Sequence, residues 1–570
     1  MCKLGQIAFA FYALLACVYG VPVSKTTSLH SAYPTIASPL GDIQGSIINS
    51  RLGKHIYAFR GIRYAKAPIN ELRFQPPQAP EKWEGVYNAT QDGPACPQPY
   101  LEPTSEDCLL LNVYTTKLNK GNDNPKRPVI VFFHGGDFTN KSGMSTILGP
   151  HYLLDQDIVL VTANYRLGAL GFLNTGDKEG TGNYGMKDQV EVLKWVKANI
   201  AAFGGDADEV TLAGHGAGAF SVSLHLVSPL SKGLFNKAII MSGSAFGNVP
   251  ISNNNLDVIQ KLAKHLSCPI DSTANLIKCL RGKTVKEITD HNVDLKVLVS
   301  TEDPHYLWLP TIEEDFVQSR FLTAHPLELI AQEKLNKVPV LIGSTKDEFG
   351  CKAFCLTNND TELQLMDNEF EKYAPQVFMY EKETENSKII SKALRTFYLQ
   401  DAKIDNSSLS KLALFFTDAI VGYGVNHAAN VIAEKSNESV FYYSFTYAGK
   451  YSNFYDPTTN NSTPYGVVNG DDLMYLFHST SFPDFKESDP ETTMLQKMTA
   501  LWANFVQSGK PIPTVTDILD NTKWEPYTTK NKKYMEIGNK LVMRENLNEK
   551  RYSEWDQVFP PNRHTKVQSG

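Results

Sequence analysis

The chain has 570 residues, of which 42% are hydrophobic and 11% aromatic, enough apolar material for a large core. Its formal charge of −6 is spread through short, mixed runs, as on a solvated surface. No basic stripe exists to follow a phosphate backbone, which excludes nucleic acid as a partner.

Residues 1–20 read as a secretory leader: Lys3, an apolar run from Ile7 to Val18, then Val18-Tyr19-Gly20 as a cleavage site. The rival reading, a membrane anchor, needs about 20 apolar residues, and this run is shorter. No later segment reads as a span, and Pro560 to Gly570 is polar, without the apolar tail of a lipid anchor. The expectation is an exported chain without a membrane anchor, residues 21–570 forming a single domain.

Cys2 and Cys17 fall in the leader. The other six form three close pairs, Cys96/Cys108, Cys268/Cys279 and Cys351/Cys355, as local disulfides in an oxidising compartment do. A loop the size of Cys96–Cys108 gains about 3 kcal/mol when bridged without strain. A metal site at Cys351-x-x-x-Cys355 lacks a matching Cys/His pair, and no metal or cofactor is expected. Asp471 and Asp472 match no calcium loop. Sequons at Asn88, Asn140, Asn359, Asn406, Asn437, Asn460 and Asn461 fit export, although the last two overlap.

Along the chain, short apolar runs alternate with helical stretches. Pro128–Phe133, Ile158–Val161, Val210–Ala213, Ala238–Met241 and Val338–Ile342 read as buried strands. Lys187–Ile200 carries Val190, Leu193, Val196 and Ile200 near helical spacing. This alternation predicts an α/β fold, a large, mostly parallel sheet with helices on both faces. Ligands bind such sheets beyond the carboxyl ends of the strands. Those ends are His134-Gly135-Gly136-Asp137, Asn164-Tyr165-Arg166, Gly214–Gly218 and Gly343–Glu348.

Gly214-His215-Gly216-Ala217-Gly218 sits between the strand Val210–Ala213 and an apolar helix start. This is the setting of a nucleophile elbow, G-x-S-x-G, which presents a serine hydroxyl on a tight turn. Gly216 stands at its centre and carries nothing that attacks a carbonyl.

Several further segments occur in order. They are Phe59-Arg60-Gly61-Ile62-Arg63-Tyr64-Ala65, Glu106-Asp107-Cys108-Leu109, Asn164-Tyr165-Arg166-Leu167-Gly168 and Gly182-Asn183-Tyr184-Gly185 before Asp188-Gln189. Ala202-Phe203-Gly204-Gly205-Asp206 and Met241-Ser242-Gly243-Ser244 flank the elbow strand. Together they make the chain resemble the type-B carboxylesterase/cholinesterase family of α/β-hydrolases from about Ser38 to Phe559, with a leaning to its secreted, non-catalytic, glutactin-like insect group. Cys96/Cys108 and Cys268/Cys279 fall where that family has disulfides. The resemblance puts the nucleophile at Gly216, the triad acid at Glu348 and the triad histidine at Asn469. It puts the oxyanion donors at the backbone N–H groups of Gly136, Asp137 and Ala217.

Acyl transfer needs an attacking oxygen, a base to take its proton, and donors for the developing charge. Gly216 lacks the first, and the Asn469 carboxamide has no basic nitrogen at neutral pH. His215 flanks the elbow centre, with its side chain expected to point away. His478 is expected on a helix after Asn469 and outside the chemistry. The expected function is therefore binding, to an extracellular protein partner or a hydrophobic small molecule. The alternative is a residual hydrolase in which Asp137 assists a water, although its charge opposes an oxyanion. In Gly216 the elbow has a residue that takes strained dihedrals cheaply. Glu348 is expected to be a buried carboxylate satisfied in part by Asn469.

Overall fold

The computed structural model describes residues 33–560, apart from 100, 120, 122–123, 291–306 and 401. The leader at 1–20 lies outside the described residues. Eleven strands form the main sheet: β1 (Ser46–Asn49), β2 (His55–Arg63), β3 (Leu110–Thr115), β4 (Arg127–Phe133), β5 (Val159–Ala163), β6 (Gly205–His215), β7 (Lys237–Met241), β8 (Val340–Thr345), β9 (Val440–Phe445), β10 (Lys533–Ile537) and β11 (Leu541–Glu545). Their spatial order is β11-β10-β9-β8-β7-β6-β4-β5-β3-β2-β1. The run from β10 to β5 is parallel, and antiparallel strands close both edges.

The expected strands fall on β4 to β8, with Ile158, Val338 and Pro339 lying just ahead of β5 and β8, and the expected helix overlaps α1 (Tyr184–Asn199). β7, β8 and β9 are buried at every position, as parallel strands covered on both faces must be. Two apolar clusters cover the sheet, one holding Val129, Val131 and Leu212, the other Ile130, Phe132 and Ala213. Successive residues of β4 and β6 thus feed opposite layers.

Among the described residues one stretch, Asn406–Lys435, is long and apolar enough to cross a membrane, contrary to the reading of the sequence, but 78% of its apolar window is buried. It serves as core.

Two expected disulfides are present, Cys96–Cys108 and Cys268–Cys279. The third is not: Cys351 and Cys355 remain thiols. Cys351 already has helical dihedrals at the start of α2 (Lys352–Thr357), so the two cysteines stand four apart on a helix. That spacing holds Cβ atoms about 5–6 Å apart, whereas a disulfide needs about 3.5–4.5 Å.

Candidate functional site

β6 ends at His215, and the helix α3 (Ala217–His225) starts two residues later. Gly216 makes that turn with φ 56° and ψ −118°, outside the regions open to ordinary residues. Close approach explains the flanking glycines. A Cβ on Gly218 would lie 2.0 Å from the Phe133 carbonyl oxygen, and one on Gly214 would lie 2.4 Å from the Gly218 oxygen. At Gly216 the opposite holds: a Cβ would meet only Gly135 Cα, at 3.8 Å. The centre of the elbow has room for a side chain and has none.

The loop after β4 lies against this turn. Gly136 has φ 96° and Asp137 φ 53°. A Cβ on Gly136 would run into the Asn140 carbonyl oxygen at 2.2 Å. The Asn140 and Thr139 N–H groups both donate to the Gly136 carbonyl, which closes the loop. Asp137 is half-buried, and its charge acts on the neighbouring His215 ring. His134 donates from Nδ1 to the Gly135 carbonyl at 2.8 Å and stacks on Tyr165. Burial pushes its imidazole down to about 4, so it is neutral at pH 7.

Glu348 is fully buried beyond the end of β8. Its Oε1 accepts from Ser242 Oγ at 2.6 Å and from the Thr345 N–H at 2.8 Å. Its Oε2 accepts from Asn469 Nδ2 at 2.7 Å. The Asn469 N–H also donates to the Glu348 carbonyl at 3.1 Å, joining the two segments through backbone as well. Burial raises the Glu348 pKa, while the hydrogen bonds from Ser242 and Asn469 oppose the rise. Ser242, which no spacing in the sequence connects to Glu348, completes the carboxylate's environment.

Asp471 accepts from Ser452 Oγ, the Asn453 N–H and the Val468 N–H, so it braces its own loop. Among the described residues no three His, Cys, Asp or Glu side chains are grouped to hold a metal ion. His478 differs from expectation. It lies on a β-bridge to Gly149 rather than on a helix, with Nε2 3.0 Å from Asp484 and its ring against His151.

The remaining sequence motifs act as struts. Arg166 holds Asp188 of α1 through two bonds of 2.8 and 2.7 Å, both groups buried. Arg63 pairs with Asp107, and Arg73 with Glu106 beside the Cys96–Cys108 bridge. Such bidentate pairs fix geometry as well as charge.

Comparison with known proteins accords with this architecture. The sequence model of the Carboxylesterase family matches residues 32–555. Esterase E4 of Myzus persicae is 37% identical over 84% of this chain and 87% of its own length. Juvenile hormone esterase of Tribolium castaneum is 34% identical over 85% of this chain and 84% of its own. Neuroligin-2 of Mus musculus is 29% identical over 94% of this chain and 69% of its own. The crystal structure of juvenile hormone esterase from Manduca sexta, with OTFP covalently attached, superposes with a TM-score of 0.81 at 27% identity. It covers 92% of this chain and 99% of that one.

Proposed function

The chain belongs to the carboxylesterase family, and from that premise we propose that it is a non-catalytic member that works by binding outside the cell. The observation that carries this reading is the pairing of Glu348 with Asn469 beside an elbow centred on Gly216. In the family's arrangement Glu348 would orient a histidine, and that histidine would take a proton from a serine. Here an amide satisfies the acid and has no basic nitrogen, and the elbow supplies no oxygen. Asp137 adds negative charge to the loop that would face an oxyanion, which opposes acyl transfer further.

The leader-like residues 1–20, the sequons and the two disulfides support an extracellular setting. The partner is an extracellular protein engaged by the outer surface; a hydrophobic small molecule held near the elbow is the other form of the same reading. Native mass spectrometry of secreted protein separates the two by the presence or absence of a co-purifying lipid-like mass.

The test of the proposal is turnover of p-nitrophenyl butyrate by the purified chain. The expected rate is that of buffer alone, with no labelling by a fluorophosphonate. Hydrolysis above background that Asp137→Asn abolishes would replace the binding reading with a water-activating hydrolase.

A further inference from the structure

His215 is the last residue of β6, and Asp472 follows the Asn469 loop. Their side chains are 2% and 0% exposed, with His215 Nε2 4.0 Å from Asp472 Oδ1. Neither atom has a hydrogen-bond partner. The other Asp472 oxygen receives a long bond from the Tyr443 hydroxyl, at 3.4 Å. Buried polar atoms are rarely left alone, because a buried group without a hydrogen bond has lost its water and gained nothing in return. These two face each other and are complementary if one of them carries a proton. The two segments run close together: a Cβ added at Gly470 would come within 3.9 Å of the His215 ring.

We propose that His215 and Asp472 share one proton and form a clasp that ties the elbow to the Asn469 loop and opens as the pH rises. Closing it moves the two atoms from 4.0 Å to hydrogen-bond distance, about 2.7–2.9 Å. The Asp472 carboxyl donates to the neutral Nε2, or equivalently the carboxylate accepts from the imidazolium; in both forms the pair is uncharged overall.

Burial sets the direction of the switch. It pushes His215 down to about 3 and Asp472 up to about 8, with Glu348 and Asp471 reinforcing the rise at Asp472. Glu348 approaches from the end of β8, Asp471 from the same loop and Tyr443 from β9. Asp137 and Lys141, on the loop after β4, act on His215 with opposite signs. At neutral pH the pair is closed and uncharged. The clasp weakens as pH rises from the ordinary carboxyl range towards about 8, and beyond that the proton leaves the closed pair too, so that a buried net negative charge remains beside Glu348 and Asp471. The sign follows from linkage: a carboxyl held above its unfolded value loses native stability as pH rises through the folded pKa.

The test is backbone hydrogen exchange of the full chain between pH 6 and pH 9, corrected for intrinsic rates. Segments 213–218 and 467–472 are expected to lose protection together from pH 6 to about pH 8, by up to about tenfold per unit, and to level off above it. The Cys268–Cys279 segment serves as the control. In Asp472→Asn the amide donates to Nε2 without titrating, so protection there becomes independent of pH. Constant protection in the wild-type chain, loss in only one of the two segments, or the same profile in Asp472→Asn would overturn the clasp. The wild-type measurement decides the matter even if the variant does not fold.

Discussion

The Asn469 amide donates to the Glu348 carboxylate at 2.7 Å, closing a buried network with Ser242 and the Thr345 N–H. On the binding reading proposed above, this carboxylate serves the structure. Truncating Asn469 to Leu leaves Glu348 Oε2 buried without that donor, which costs about 1–3 kcal/mol. Asn469→His keeps a donor and is expected to be milder. Urea denaturation of the two variants measures the difference; equal stability would mean the Asn469 bond contributes nothing.

If the binding reading holds, two substitutions are expected to introduce ester hydrolysis. Gly216 has space for a side chain, and Asn469 already points at the acid. The double variant Gly216→Ser/Asn469→His is expected to hydrolyse p-nitrophenyl butyrate at least about a thousandfold faster than wild type. Either change alone should do little, since triad members act as a unit. Asp137→Gly added to the pair should raise the rate further by removing charge opposite the oxyanion. A double variant as inert as wild type would mean that the oxyanion donors are misplaced.

Gly216→Ser taken alone is expected to destabilise the fold. Its dihedrals, φ 56° and ψ −118°, are strained for any residue with a Cβ, at about 1–3 kcal/mol. No steric clash contributes, because the nearest atom to the added Cβ is 3.8 Å away. A rise in melting temperature would contradict the view that glycine relieves strain at this turn.

The sequence made the parallel centre of the sheet readable because its strands are continuous apolar runs, as at Ile239-Ile240-Met241. The edges were harder. β1 and β11 are half-exposed and mixed in polarity, so no run marks them. Val440–Phe445 carried a usable signal, a buried run of Phe441, Tyr442 and Tyr443. At the site, the elbow and the Glu348–Asn469 pair were legible because family spacing fixes them. Ser242, and the approach of Asp472 to His215, depend on segments that meet only through the sheet. The Cys351/Cys355 expectation went astray because closeness in sequence says nothing of helical geometry, which holds the two sulfur-bearing carbons apart.

That geometry gives a chemical prediction. Peptide mapping without reduction should recover cross-linked Cys96–Cys108 and Cys268–Cys279 peptides, with Cys351 and Cys355 both alkylated. In the native chain burial pushes the Cys351 thiol up to about 12. At pH 8 its thiolate fraction is then about a thousandfold below that of an ordinary thiol. Its iodoacetamide labelling should accordingly be slow and should rise about tenfold per pH unit from 8 to 10. Fast labelling at pH 8, or a Cys351–Cys355 crosslink, would contradict this environment.

Glycan occupancy tests the loop after β4. Asn140 is half-buried, its Nδ2 donates to Thr139 Oγ1 at 3.3 Å, and its Oδ1 leans over Gly136. A glycan on Nδ2 would break that bond and force the side chain away from Gly136. Asn88 and Asn437, by contrast, are exposed. At Asn88 the Thr90 hydroxyl donates to Oδ1 at 2.7 Å, a bond that does not engage the Nδ2 to which a glycan attaches. Glycopeptide mapping of protein secreted from insect cells is expected to find Asn88 and Asn437 occupied and Asn140 bare. An occupied Asn140 would mean that this loop folds differently during synthesis, and the placement of Gly136 and Asp137 beside the elbow would then need revision.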